Sequence, residues 1–80
     1  MKIPVIKKLV ANYSVEELEK AEEALGDEQK PQIEIDGEDE GEMLTHAYAA
    51  IWVKNKMIED NMEFREAMRA FTQKVRKSIS

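Results

Sequence analysis

One helix in this sequence is apolar on nearly every side, and little chain is left to cover it. From Glu38 or Glu42 to Glu59 the spacing predicts continuous helix, broken at Asp60-Asn61. One apolar stripe of that helix is Leu44, Ala47, Tyr48, Ile51 and Ile58. A second, on roughly the opposite side, is Met43, His46, Ala50, Val53 and Met57, with Trp52 between the two. A helix of this kind has to be buried nearly all round. The whole chain has 80 residues. A domain of that size buries only about 60–65% of the surface its unfolded form exposes, and often finds the rest in a partner.

The segments available as cover are short. Pro4 suits a first helical turn, where its missing N–H costs nothing. Ile6, Leu9, Val10 and Tyr13 then share one face, and Asn12 to Ser14 interrupts. Ser14 and Glu17 have the spacing of a capping box. The helix they start runs to about Leu25 on a narrow stripe of Val15, Leu18, Ala21 and Leu25, and Gly26 is expected to close it in the left-handed conformation. Residues 27–41 form a connector, with Pro31 as a breaker and Asp36-Gly37 as turn chemistry. Gln32 to Ile35 alternates like a strand but has no partner strand. After the long helix, Asn61 can adopt the left-handed conformation. A final helix from about Glu63 to Ser78 carries the stripe Phe64, Ala67, Met68, Phe71, Val75 and Ile79. The expected fold is a single all-α domain over 1–80. It has three to four helices: two short ones in 1–26, then the acidic connector 27–41, then a dominant αα-hairpin over 42–79. Three short elements look insufficient to sheathe the long helix. The second stripe therefore reads as a homodimer seam through Met43, His46, Ala50, Trp52, Val53 and Met57; the alternative is a monomer whose first two helices fold over it. Two facing copies of His46 would weaken such a seam on acidification.

Charge is distributed unevenly. Seventeen acids oppose twelve bases, for a formal net charge of −5. By segment the balance is +3 over 1–13, −11 over 14–42 and +3 over 43–80. This acidic total argues against a nucleic-acid binder, which shows a dominant basic footprint. The basic end, Arg69, Lys74, Arg76 and Lys77, has no aromatics interleaved on its exposed face. No apolar run approaches the ~20 residues of a membrane span. With no cysteine there is no disulfide framework, and a cytoplasmic location is expected.

Candidate chemistry is sparse. Read from Asp36, the acids Asp36, Glu38 and Glu40 take positions one, three and five of a calcium loop, with Gly41 at six. Position twelve is Ala47 where a bidentate glutamate belongs. Glu42 and His46 are one helical turn apart and could share a metal, but two ligands are not a site. Asp36, Glu38, Glu40, Glu42 and His46 are thus weak candidates for a divalent-cation or small-molecule module. Acids in a first helical turn are also what the helix dipole favours. Met43, Met57, Met62 and Met68 could line a peptide groove, though methionine at this spacing is usually core. No nucleophile elbow and no phosphate-cradling glycine loop is present, and Ser14 is committed to capping. No cofactor is implied. The chain reads as non-enzymatic, an interaction or adaptor module that self-associates.

The opening Lys2-Ile3-Pro4-Val5-Ile6-Lys7 resembles the Lys-Leu-Pro-Val-Ile-Lys start of a family of small uncharacterised bacterial proteins, a domain of unknown function. Lys56-Met57-Ile58, Arg65-Glu66-Ala67-Met68, Phe71 and Val75 continue the likeness. Asn61 stands where glycine would be expected, and Glu63 where a helix-starting proline would. The resemblance implies a small helical cytoplasmic protein and brings no activity and no site residues.

Overall fold

The computed structural model describes residues 1–79 and places side chains as far as Lys77. The side chain of Ile79, at the end of the predicted last stripe, lies outside the described residues. Four helices follow in order: α1 (Ile3–Asn12), α2 (Val15–Gly26), α3 (Glu40–Asp60) and α4 (Phe64–Ile79). The all-α expectation holds, and no strand forms among the described residues. Gln32 to Ile35 is irregular instead. Its alternation has a different use: Ile35 is 5% exposed and plugs the core, while Ile33 packs beside it.

Helix α3 is the axis of the molecule, and each other helix packs on it. Its N-cap is Asp39, whose carboxylate accepts from the Glu42 N–H at 2.8 Å. The start of α1 meets His46 and its end meets Lys54, so α1 runs parallel to α3. Helix α2 runs antiparallel: Glu22, Glu23 and Gly26 lie beside Leu44 and Tyr48, while Glu19 lies toward Asn55. Helix α4 returns antiparallel as the second arm of the hairpin, setting Phe71 against the rings of Tyr48 and Trp52 at 6.0 and 5.6 Å.

This arrangement corrects the expectation that three short elements cannot sheathe α3. His46, Ala47, Ala49, Ala50 and Val53 have no exposed surface within the single chain. The connector, through Ile35, contributes cover that helix counting leaves out. Ile58, placed by periodicity in a buried stripe, is 66% exposed. It lies one turn beyond Lys54, where α1 has already ended.

The helix ends show which local rules operate. The Ser14–Glu17 capping box is complete in both directions, at 3.1 and 3.0 Å. Asn61 takes the left-handed conformation at φ 52°, and the Met62 N–H reaches back to the Met57 carbonyl at 3.1 Å. Gly26 does not do the same for α2. It stays helical, and Glu28 takes the left-handed position at φ 59°. The Gln29 N–H then bonds the Ala24 carbonyl at 2.8 Å, and the Glu28 N–H bonds Leu25 at 3.1 Å. These are the two bonds of a Schellman motif shifted two residues along the chain from the glycine. A side chain in that conformation costs roughly 1–2 kcal/mol, which glycine avoids. Glu28→Gly should therefore raise stability by about 1 kcal/mol, or about 4–8 °C in Tm, measured by thermal unfolding.

Candidate functional site

The predicted seam and the predicted acidic site meet at His46. Its ring is fully buried and both nitrogens are in use. Nδ1 lies 2.8 Å from the Asp36 carbonyl, and Nε2 lies 2.9 Å from the Lys2 backbone nitrogen. A carbonyl only accepts and a backbone N–H only donates. The ring is therefore neutral with its proton on Nδ1, donating to Asp36 and accepting from Lys2. The entry to α1, distant in sequence, is joined there to the connector and α3.

Two turns later, Lys54 does the matching work at the other end of α1. Its ammonium donates to the Val10 carbonyl at 2.9 Å and also to the Tyr13 carbonyl. These carbonyls have no partner within the helix, and they form the negative end of its dipole. A lysine stem against apolar surface with its charge on helix-end carbonyls is a stable way to half-bury a cation.

The acids of the connector do structural work along the chain. The Glu42 carboxylate accepts from the Glu38 N–H at 2.9 Å, and its other oxygen lies 3.9 Å from the Met1 amino nitrogen. Asp36 pairs with Lys8 at 3.7 Å across solvent. Glu40 is exposed in the first turn of α3. Asp36, Glu38, Glu40, Glu42 and His46 do not converge. Among the described residues no three metal-ligating side chains come together. The calcium-like spacing is instead the N-terminus of a helix, with its cap, its first-turn acids and a turn at Gly37. A Cβ at Gly37 would stand 2.7 Å from the Met43 side chain and 2.9 Å from its backbone nitrogen. The connector needs a residue without a side chain to lie this close to α3.

The seam residues divide in the same way. His46, Ala50 and Val53 face inward within one chain, so two copies of His46 do not meet and the acidification expected of a seam has no basis there. Met43 and Met57 are half-buried against the core. Trp52 is half-buried and keeps an outward edge. Tyr48, expected in the core, is 44% exposed. Its ring lies under Lys74 at 5.8 Å, and its hydroxyl accepts from the Lys74 ammonium at 3.2 Å. Lys56 sits 6.0 Å from the Trp52 ring and 2.6 Å from Asp60. The hydrogen bond to Asp60 and its charge hold the Lys56 ammonium above its ordinary pKa. Lys54 is the residue sequence reasoning missed, while Tyr48 was placed in the core and Lys74 in the basic end without their mutual contact. Lys54 had a signal: it stands in the apolar arc of α3 between Met43 and Ala47, where an uncapped lysine has no place.

Two outcomes check the role of this polar pair. His46→Ala should cost about 2–4 kcal/mol by chemical denaturation, since it opens a cavity and strands the Lys2 N–H and Asp36 carbonyl. Lys54→Met keeps the stem and should cost about 1–2 kcal/mol. In the double variant the losses should fall short of additive, because both act through docking of α1. Gly37→Ala should lower stability by about 1–3 kcal/mol on the same assay, by forcing the connector off Met43.

No curated protein matches this chain, and no solved structure matches it. Among the described residues, no helix is long and apolar enough to cross a membrane. The sequence does match a family over its full span, residues 1–80. The chain belongs to the family of unknown function DUF6952.

Proposed function

We propose that this protein is a non-enzymatic interaction module that pairs with a second copy of itself. The pairing surface is not the buried His46 stripe but the strip of α3 left uncovered between α2 and α4. One observation carries this reading. Tyr48 and the half-buried Trp52 lie in a lane with Glu19 and Glu22 of α2 on one edge and Lys56 and Lys74 of α3 and α4 on the other, where Lys56 also pairs with Asp60 and Glu59 stands at the end of the lane.

A lane with opposite charges on its two edges is complementary to itself. A twofold axis through it places the acidic edge of one copy against the basic edge of the other, and the aromatics against each other. Tyrosine and tryptophan are the side chains that carry most energy at such contacts. Charge at the edges sets register and speeds encounter rather than supplying most of the affinity.

Light scattering on a sizing column checks this. The wild type should be dimeric at high micromolar concentration, and added salt should weaken it. Tyr48→Glu should give a folded monomer. Lys74→Glu should weaken the dimer, and adding Glu22→Lys to it should restore pairing. A monomeric wild type at several hundred micromolar, or a dimer indifferent to both charge changes, sinks the reading.

A further inference from the structure

On the other flank of α4 the chain has a second, unlike surface. An open groove of about 850 Å³ runs between α1 and α4. Ile3, half exposed, and the half-buried Phe64 and buried Met68 form its apolar floor. Lys7 stands on one wall, Arg65 and Arg69 on the other, and Glu63 and Thr72 complete the lining, so three cations outweigh one carboxylate. None of these three cations has a carboxylate partner within 4.0 Å among the described residues. In a chain of net charge −5, this is a basic site with a greasy base.

We propose that this groove binds an acidic amphipathic helix from another protein. Three features select that occupant. The cations call for carboxylates, and arginine meets a carboxylate with two parallel hydrogen bonds. The floor calls for apolar anchors, which a purely anionic ligand lacks. The groove is open along its length, whereas small-molecule sites enclose most of their ligand. An amphipathic helix laid in a groove, with anchors at i, i+4 and i+7, satisfies all three. Arg65 and Arg69 are one helical turn apart, which matches acids spaced by one turn on the incoming helix. A second copy of this chain is a poor occupant. Its acidic helix α2 already buries Leu18, Ala21 and Leu25 in its own core and has no anchors left to offer.

The test uses the full-length protein and three synthetic peptides of about fourteen residues, read by fluorescence anisotropy. One carries leucine at i, i+4, i+7 and i+11 with glutamate flanking. The second replaces the glutamates by lysine. The third is polyglutamate. The first should bind, and binding should weaken as salt rises. Arg65→Glu with Arg69→Glu should weaken it at least about tenfold with Tm little changed, since both side chains are exposed. Lys7→Glu, on a different helix, should weaken it independently. Ile3→Ser should also reduce affinity. Equal binding of the lysine peptide or of polyglutamate overturns the proposal, as does affinity unchanged by the charge reversals. Absence of peptide binding overturns it too, including when phosphatidylglycerol vesicles are bound instead. Dimerisation through the Tyr48 lane is read separately by light scattering, so failure of either proposal leaves the other standing.

Discussion

Helix α1 reaches the core with unpaired backbone groups at both ends, and α3 supplies a partner for each. His46 accepts the N–H at its entry, and Lys54 covers the carbonyls at its exit. Between those two contacts lies the apolar seam of Ile6, Leu9 and Val10 against the small and branched residues of α3. Each backbone polar group buried without a partner costs about 1–3 kcal/mol, which would take back much of what the apolar contact of so short a helix returns. The polar pair and the apolar seam therefore fix together where α1 lies along α3. The same histidine ties down the connector through Asp36, which brings Ile35 into the core and Gly37 onto Met43. Among the described residues, no buried side-chain nitrogen or oxygen lacks a partner.

Once α1 and the connector occupy the His46 face, the surfaces left to partners are decided. Helix α2 lies beside the half-buried Leu44 and Ile51, and α4 sets Phe71 against one side of Trp52. What remains of α3 is an aromatic lane with unlike charged edges. What remains beside α1 is a groove floored by Ile3 and Phe64. The two surfaces lie on opposite flanks of α4 and differ in chemistry. The lane holds both charges, whereas the groove holds mainly cations over an apolar floor. A small single-core domain has few rigid surfaces to offer, and here both borrow α4.

The local elements were legible because their signals are local. The Ser14–Glu17 box, the left-handed Asn61 and the amphipathic stripe of α4 each depend on neighbours within one or two turns. Gly26 shows the limit of that reasoning. A glycine is permissive but not compelling: α2 keeps Gly26 as its last helical residue, and the left-handed turn falls at Glu28. The acids from Asp36 to Glu42 show the same limit from another side. Their spacing is compatible with a metal loop, yet spacing says nothing about convergence, and a helix cap with first-turn acids uses the same residue types. Tyr48 was misplaced because the gap between α2 and α4 falls at its angle, which the sequence does not reveal, and Ile58 because helical periodicity assigns only an angle around the axis. It does not say where along the axis the covering helix stops.

The amino-acid sequence by itself determined that this protein is helical, that α3 must be buried on most of its circumference, and that the charge falls into basic, acidic and basic blocks. Those properties follow from side-chain chemistry and from spacing within single helices. Which neighbour buries which face was decided only by the tertiary structure. That choice turned on two polar side chains, the buried His46 and the half-buried Lys54, which reach hydrogen-bond partners at the two ends of α1 more than forty residues away in the chain. A stripe that could have met a second copy is filled from within, because α1 and the connector pack their own apolar side chains against it.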